Sequence, residues 1–345
     1  MSYPAFRSFR PLAFLAAVLL LATGCHGTQS YIRIEGFAQG GTYHVICSPD
    51  VRLREPQLRA RIDSLLLEID NTLSGYNKGS LLSRINAGED LPLNGLFLGC
   101  FNRSKEIWAE SGGAFDPSAA PLFDLWGFGF TEKGTVRQEA IDSILAFVGM
   151  DRLSLETRDD GIHLVKADPR MRLNFNAIAQ GYSADAVAAL LDAAGCGNYL
   201  VDIGREIRCK GLNASGEPWR VGLDRPSDGN MDEGRDLQAI IHVSDCGIVT
   251  SGNYRKFYIE NGRKYAHTLD PATGRPVTHN LLSATVIAGD STTADAYATW
   301  LMVIGEERAR ELLAVRPDIE ALLVYDKDGQ MCVFQTNNIN TTDIQ

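Results

Sequence analysis

The chain has 345 residues, 45% of them hydrophobic, with 33 basic residues against 43 acidic ones. This length suits one large domain or two fused domains, and it is sufficient for a sizeable core. The net charge of −10 disfavours nucleic acid as a partner, because nucleic-acid binding depends on neutralising phosphates with Lys and Arg.

The first 25 residues have the pattern of a secretory signal. Arg7 and Arg10 precede an apolar stretch at 12–22, which is shorter than the about 20 residues that cross a bilayer. Cys25 directly follows small residues, an order that resembles a bacterial lipobox. We therefore predict a lipoprotein signal peptide at 1–24, which is cleaved, and a mature domain at 25–345 with a lipidated Cys25. A plain secreted protein with an incidental Cys25 is the alternative.

Six more cysteines follow Cys25, and none of them forms a Cys-x-x-Cys pair or has zinc-finger spacing. They are Cys47, Cys100, Cys196, Cys209, Cys246 and Cys332. The pattern is typical of small buried hydrophobic side chains. Export permits disulfides, but six cysteines allow fifteen complete pairings, and the sequence does not choose among them.

Strand and helix patterns alternate along the mature chain without repeats. A hairpin is predicted at 31–36 and 42–47 around Gln39-Gly40-Gly41, and apolar residues with helical spacing predict a helix at 58–73. Further helices are predicted at 94–108, 138–148, 181–194, 292–303 and 306–315. Further strands are predicted at 161–165, 171–175, 199–203, 219–222, 237–243, 254–260, 264–269, 282–288, 320–325 and 331–335.

This order of elements is not strictly βαβ. We therefore predict an α+β fold rather than a doubly wound sheet. The expected architecture has mixed and largely antiparallel sheets with packed helices, in a single large domain of two interleaved α/β subdomains.

Asp295 and Thr299 are four residues apart in a predicted helix, so a carboxylate and a hydroxyl lie on one helix face. Two hard oxygen donors on one helical turn suit Mg²⁺. The alternative is that Asp295 caps the helix or interacts with its dipole, as Asp near a helix start often does.

Three other motifs carry polar residues on probable loops. The segment 111–128 is rich in glycine and aromatic residues, which also fits a turn with core aromatics. The segment 174–185 joins a strand to a helix, whose free N–H groups can hold an anion. It lacks G-x-G-x-x-G and a Walker lysine, so neither a Rossmann site nor a P-loop is expected. His267 lies beside a turn fixed by Asp270-Pro271 and Thr273-Gly274, with a purely structural histidine as the alternative.

At these places the chain resembles the bacterial FAD:protein FMN transferases, which were formerly described as thiamine biosynthesis lipoproteins. The likeness runs from about residue 40 to residue 299. The matching motifs are Gly40-Gly41-Thr42, Ser74-Gly75-Tyr76 with Ser80 and Asn86, Gly113-Ala114-Phe115-Asp116, His267-x-x-Asp270-Pro271, and Ala294-Asp295 with Thr299.

The resemblance implies an enzyme that transfers FMN from FAD to a Thr or Ser hydroxyl of an acceptor protein and releases AMP, with Mg²⁺ as cofactor. The residues implied in FAD binding are Gly40, Tyr76, Ala114, Phe115, Asp116, Asn174, Gln180 and Leu269. The implied metal ligands are the Ala177 carbonyl, Asp295 and Thr299. His267 is the candidate for the group that accepts the hydroxyl proton, because the ordinary pKa of histidine lies near the working pH.

The implied partner is an acceptor protein, expected to be a subunit of a membrane redox complex. With the lipobox, the resemblance implies a lipid anchor in the cell membrane or outer membrane, facing the periplasm or the exterior. Two other functions remain open for the same site: a Mg-dependent FAD pyrophosphatase that gives FMN and AMP, and a flavin-binding lipoprotein without catalysis.

The chain departs from the family pattern at three places. Asn174 and Gln180 stand where the family usually has Asp and Lys, so a neutral pair can replace an ion pair without leaving one charge unpaired. Gly204-Arg205-Glu206 stands where the family has a Gly-Gly pair, and Gly40 stands where it has Met. The change at Gly40 removes a side chain that would lie against the flavin.

Overall fold

The computed structural model describes residues 31–48, 53–131, 133–227, 230, 234–254, 257–260 and 263–343. The predicted signal peptide and Cys25 lie outside this part of the chain. The helices there are α1 (Glu55–Leu73), α2 (Leu81–Asn86), α3 (Gly95–Glu110), α4 (Ala120–Trp126), α5 (Gln138–Leu145), α6 (Ala179–Ala193) and α7 (Ser291–Ala314). None of the helices in this part is long and apolar enough to cross a membrane.

The strands fall into one large sheet and several small ones. They are β1 (Ile32–Ala38), β2 (Gly41–Cys47), β3 (Leu153–Arg158), β4 (Gly161–Lys166), β5 (Tyr199–Ile203), β6 (Glu206–Lys210), β7 (Trp219–Asp224), β8 (Leu237–Val243), β9 (Cys246–Gly252), β10 (Phe257–Glu260), β11 (Arg263–Ala266), β12 (Leu269–Asp270), β13 (Arg275–Pro276), β14 (Leu281–Ala288), β15 (Glu320–Lys327), β16 (Gln330–Gln335) and β17 (Thr341–Asp343).

The large sheet has eight strands in the order β1-β2-β5-β6-β9-β14-β15-β16, and all its neighbours pair antiparallel. A three-stranded sheet has the order β17-β8-β7, and β3–β4, β10–β11 and β12–β13 form separate pairs. The first four strands come from the N-terminal part of the chain and the last four from the C-terminal part, so both parts contribute to one sheet without alternating in it. The predicted α+β fold with largely antiparallel sheets is confirmed.

Side chains of the large sheet alternate between two cores, as the period of two along a strand requires. On β2, Tyr43 and Val45 face α1 and α6, where they pack with Leu58 and Ile62. Ile46, the residue after Val45, faces the opposite side, together with side chains of β6, β7, β8, β9 and β15. A third core joins α3, α7, β14 and β15. Helices therefore cover one face of the large sheet, and the three-stranded sheet β17-β8-β7 covers part of the other face.

Most predicted elements are confirmed. Asn94 caps α3, since its Oδ1 accepts a hydrogen bond of 2.9 Å from the N–H of Phe97. The two helices predicted at 292–303 and 306–315 are the two parts of α7, which Gly305 interrupts with φ 80° and ψ 172°.

Two predictions were wrong. The segment 171–175 is not a strand, because its only ladder contact is a single bridge between Arg172 and Ala119. The segment 120–126 is not a loop but α4, which has Pro121 in its first turn and ends at Gly127 in a left-handed conformation. Proline suits the first turn of a helix and glycine suits its end, so these two residues frame a helix of only seven residues.

Candidate active site

A cleft of about 1400 Å³ opens where the β1–β2 and β5–β6 turns meet α6 and α7. All the predicted site residues line it. They are Gly40, Tyr76, Ala114, Phe115, Asp116, Asn174, Ala177, Gln180, His267, Leu269, Asp295 and Thr299. Residues that are up to 259 positions apart in the sequence thus meet in one place. Their individual roles stay predictions.

Two tight hairpin turns form one wall of the cleft. Gln39 and Gly40 link β1 to β2 with φ values of 53° and 80°, and Gly204 and Arg205 link β5 to β6 with φ values of 66° and 85°. Positive φ at both central residues defines a turn that matches the twist of a hairpin. Because β2 pairs with β5, the two turns lie side by side, and the Gly204 N–H donates to the Thr42 carbonyl at 3.1 Å.

The contact between α6 and α7 forms the inner wall. A Cβ atom at Gly181 would lie 2.4 Å from the Ser291 carbonyl oxygen and 2.8 Å from the Asp295 Cβ, so only glycine allows this approach. The Asp185 carboxylate of α6 accepts hydrogen bonds from the N–H groups of Ser291 (3.0 Å) and Thr292 (2.8 Å). α6 therefore fixes the start of α7 and with it the position of Asp295.

Asp295 is not the cap of α7. The cap is Asp290, whose Oδ1 accepts from the N–H of Thr293 at 2.7 Å. Asp295 lies more than a turn further on, and its Oδ2 accepts from the Gly181 N–H at 3.1 Å. The capping interpretation of Asp295 is therefore wrong.

The surroundings of Asp295 fit a divalent cation. The side chain is 4% exposed, and burial raises the pKa of Asp295 to about 7. Among the described residues no cation contributes to this pKa, and the Gly181 N–H supplies the only hydrogen bond to the carboxylate. A buried carboxylate without a cationic partner is costly, and a bound cation removes that cost.

The available donors are also of the type that Mg²⁺ prefers. Thr299, one helical turn beyond Asp295, and Ala177 line the same cleft and offer a hydroxyl and a carbonyl oxygen. Within the described residues, no group of three or more His, Cys, Asp or Glu side chains could hold a metal ion. The candidate site thus depends on one carboxylate and on neutral oxygens.

The turn before α6 is held by side-chain amides. The Oδ1 of Asn174 accepts from the Asn176 N–H at 2.8 Å, and the Asn174 N–H donates to the Pro117 carbonyl at 2.9 Å. The Asn176 amide donates to the Tyr76 hydroxyl at 3.2 Å. Asn174 therefore shapes the turn that carries Ala177, and the same turn holds Tyr76 at the mouth of the cleft.

Asp116 is a second buried carboxylate in the cleft. It accepts hydrogen bonds from the Trp108 ring N–H at 3.2 Å and from the Ser118 N–H and hydroxyl at 2.8 Å and 2.6 Å. Burial raises the pKa of Asp116 to about 6, although these hydrogen bonds act in the opposite direction. The carboxylate is thus fixed in orientation before any ligand binds.

His267 lies between β11 and β12 and is half-buried beside the ring of Phe128, at a centroid distance of 6.5 Å. The turn that follows is held by Asp270, which accepts from the Ala272 N–H at 2.9 Å and from the Thr273 hydroxyl at 3.0 Å. The predicted turn is confirmed, and the imidazole reaches the cleft.

A row of aromatic rings begins beside His267 at Phe128, which lines the cleft. Phe128 stacks on Tyr258 at 5.3 Å, Tyr258 on Tyr265 at 5.3 Å, and Tyr265 lies 5.6 Å from Trp126. Tyr76 also lines the cleft and is 57% exposed. Such rings offer apolar area to a flat ligand or to a protein surface.

Two cleft residues were noticed in the sequence only as departures. Arg205 has φ 85°, an uncommon conformation for a residue with a Cβ, and lines the cleft 3.7 Å from Asp224. The Oε2 of Glu206 is shielded from solvent and has no hydrogen-bond partner among the described residues. Burial, and then the charge of Asp295, raise the pKa of Glu206. The departure from the family's Gly-Gly pair was the only signal for these residues in the sequence.

The fold is that of bacterial flavin transferases. The flavin transferase ApbE from Vibrio cholerae matches with a TM-score of 0.77 and 33% identity, over 89% of this chain and 97% of that one. The flavinyl transferase ApbE of Pseudomonas stutzeri matches with a TM-score of 0.78 and 33% identity, over 89% of this chain and 95% of that one.

The sequence comparison extends this likeness. The sequence model of the ApbE family matches residues 32–323, and the chain belongs to this family. It is 36% identical to an FAD:protein FMN transferase of Vibrio cholerae, over 92% of this chain and 94% of that protein. It is 34% identical to the one of Escherichia coli, over 93% of both chains.

Proposed function

We propose that this chain is a Mg²⁺-dependent enzyme that transfers FMN from FAD to a Thr or Ser hydroxyl of an acceptor protein and releases AMP. Transfer of FMN from FAD to a protein is the activity that names its relatives, which match more than nine-tenths of the chain. The observation that carries the proposal is that residues from five separate motifs line one cleft around a buried carboxylate.

The reaction exchanges the phosphoanhydride bond of FAD for a phosphodiester bond between FMN and the acceptor. The acceptor hydroxyl oxygen forms a bond to the phosphorus of the FMN half, the bridging P–O bond breaks, and AMP leaves. The hydroxyl proton passes to the imidazole of His267, whose position at the cleft suits a general base. The acceptor supplies the nucleophile, so no serine or cysteine nucleophile is required here.

The metal ligands of this proposal are Asp295, Thr299 and the Ala177 carbonyl. When bound there, Mg²⁺ neutralises charge on the pyrophosphate oxygens during transfer. Asp116 and Asn174 hold the loop and turn that border the flavin, and Tyr76 offers its exposed ring for contact with the isoalloxazine.

The proposal includes a location. Lipidation at Cys25 would anchor the mature domain in the cell membrane or outer membrane, facing the periplasm or the exterior. The acceptor is then expected to be a membrane redox-complex subunit that exposes a Thr or Ser on the same side. Support for this part comes from the sequence pattern at 1–25.

The test is the intact mass of a candidate acceptor after incubation with this protein, FAD and Mg²⁺, read together with AMP release. We expect the mass of the acceptor to increase by the mass of FMN less one water, and we expect no increase with EDTA. An acceptor with Ala in place of the target Thr or Ser is the control. AMP release at the same rate without any acceptor would support a pyrophosphatase, and FAD binding without AMP would support a flavin carrier.

A further inference from the structure

The structure brings two cysteines together across neighbouring strands of the large sheet. Cys209 on β6 lies directly opposite Cys246 on β9 in antiparallel register. Their sulfur atoms are 3.8 Å apart, and the two residues are 0% and 8% exposed. Sequence spacing gave no reason to favour this pair, because the two residues are 37 positions apart.

A second pair lies on the other face of the same sheet. Cys47 ends β2, Cys196 lies three residues before β5, and both side chains belong to one buried core. Both residues are buried, at 0% and 2% exposure. The backbones are joined beside them, since the Ser48 N–H donates to the Asn198 carbonyl at 2.8 Å.

The two remaining cysteines of the described chain have different surroundings. Cys100 is fully buried in α3, at 0% exposure. Cys332 lies half-buried on β16, between β15 and solvent. The structure therefore groups four cysteines into two pairs and leaves two cysteines out.

The backbone geometry of the cross-strand pair suits a disulfide bond. Directly opposite residues in an antiparallel pair have Cα atoms about 4.5–5.5 Å apart. Disulfides usually join Cα atoms about 4.4–6.8 Å apart, so side-chain rotation alone can close the remaining gap between the sulfur atoms.

We propose that Cys209 forms a disulfide with Cys246, and Cys47 with Cys196, in the exported protein. In each pair two S–H bonds break and one S–S bond forms, with the release of two protons and two electrons. A disulfide-bonded oxidant of the export compartment takes up the electrons and is reduced to two thiols. Because all four sulfurs are buried, the bonds form during folding, before the sheet closes over them.

The bonds would link β2 to the segment just before β5, and β6 to β9, its neighbour in the large sheet. None of the four cysteines lines the cleft. Each bond closes a long loop and so restricts the unfolded chain more than the folded one. The disulfides therefore act on stability, and the proposal is independent of the proposed flavin transfer.

The test uses full-length protein exported into an oxidising compartment and denatured in an alkylating agent without reductant. We expect two alkylated thiols among the six cysteines after Cys25, at Cys100 and Cys332. Peptide mapping without reduction should find the 209–246 and 47–196 linked peptides. Reductant should lower the melting temperature by on the order of 5 °C. Six alkylated thiols, or linked peptides that join other cysteines, would overturn the proposal.

Two variants sharpen this test. Cys246→Ser should expose Cys209 to alkylation and leave the 47–196 bond intact. Cys100→Ser changes an equally buried thiol outside the pairs, so it should keep both linked peptides and the same response to reductant. If Cys246→Ser does not fold, the mapping of the wild-type protein still decides. Loss of a linked peptide in Cys100→Ser would show that the pairing was misassigned.

Discussion

The inner wall and the mouth of the cleft are built on different principles. At the inner wall Asp295 is 4% exposed, and Gly181 of α6 contacts α7 so closely that no Cβ fits between them. At the mouth Tyr76 is 57% exposed, and the Arg205 side chain is 43% exposed. Packing positions the inner residues, whereas local turns position the outer ones. Stability and function are therefore coupled at the inner wall and separable at the mouth.

Loss of the carboxylate of Asp295 should have the largest effect on activity. We expect Asp295→Ala and Asp295→Asn to stay folded, because each removes a buried charge that lacks a cationic partner. FMN transfer should fall by at least about 10³-fold, the scale of losing a group that stabilises transition-state charge. We also expect Mg²⁺ to raise the melting temperature of the wild type and to leave that of both variants unchanged.

Asp290→Asn is the matched control, since it changes another carboxylate of the same helix and asparagine also caps well. This variant should keep its activity and its response to Mg²⁺. If Asp295→Asn retained activity within a few-fold of the wild type, the metal assignment would be wrong.

At the mouth, chemistry and binding should separate. His267→Ala should keep near-wild-type FAD affinity and transfer FMN at least about tenfold more slowly, because a general base typically contributes about 10²–10⁴ in rate. Tyr76→Ala should mainly weaken FAD binding, and Tyr76→Phe should keep most of it because the ring remains. FAD titration and single-turnover transfer measure the two quantities.

The opposite result would exchange the two roles. A His267→Ala protein that binds FAD much more weakly, but transfers FMN at the wild-type rate at saturating FAD, would make His267 a binding residue. Both variants should retain the wild-type melting temperature within about 1–2 °C, since Tyr76 is exposed and His267 is only half-buried, outside the packed core.

Gly181→Ala should couple stability to function at the inner wall. The added Cβ would meet the Ser291 carbonyl at 2.4 Å, so α6 has to move away from α7. We expect a loss of about 1–3 kcal/mol in the free energy of unfolding, typical of overpacking, together with weaker Mg²⁺ binding. Denaturant unfolding measures the first effect and Mg²⁺ titration the second.

Gly95→Ala is the control for this change, because nothing lies within 4 Å of a Cβ at that helix start. It should be neutral or slightly stabilising, as alanine favours helices. Equal destabilisation by both variants would contradict the close α6–α7 contact.

Arg205→Gly should have the smallest effects, and they should be opposite: a gain in stability and a loss of FAD affinity. Glycine adopts φ 85° without strain, so the variant should gain up to about 1 kcal/mol in the free energy of unfolding. The lost guanidinium should weaken FAD binding a few-fold, and less so at high salt, because the pyrophosphate is anionic. Asp328→Gly, at φ 55° in the β15–β16 turn, is the control and should leave FAD affinity unchanged. Unchanged stability and affinity in Arg205→Gly would exclude both effects.

Local patterns in the sequence were sufficient for much of the fold. Helical spacing predicted α1, Asn94 predicted the start of α3, and Gly305 separates the two helices predicted at the C-terminal end. The missed strands include β6 and β9. β6 alternates charged with apolar residues over only five positions, and β9 carries two glycines, so neither gives a strong strand pattern.

The site was predicted from motifs, but its assembly was not. Asp295 and Thr299 gave a local signal because they lie four residues apart. The contact of Gly181 with Ser291, the burial of Glu206 and the approach of the two hairpin turns depend on tertiary packing between distant segments. The proximity of Cys209 and Cys246 could not be predicted for the same reason, since only strand register places these two residues opposite each other.

The strands of the large sheet follow one another in space in the same order as in the chain. A chain that becomes available for folding from its N-terminus onward can therefore add each strand to the open edge of the sheet, without reopening earlier pairs. The intervening segments, such as β3–β4, β7–β8 and β10–β13, leave the sheet and return beside the strand last placed. His267 lies in one of these excursions and Asp295 on the helix between β14 and β15, so the segments that carry them can change in length while the order of the sheet is kept.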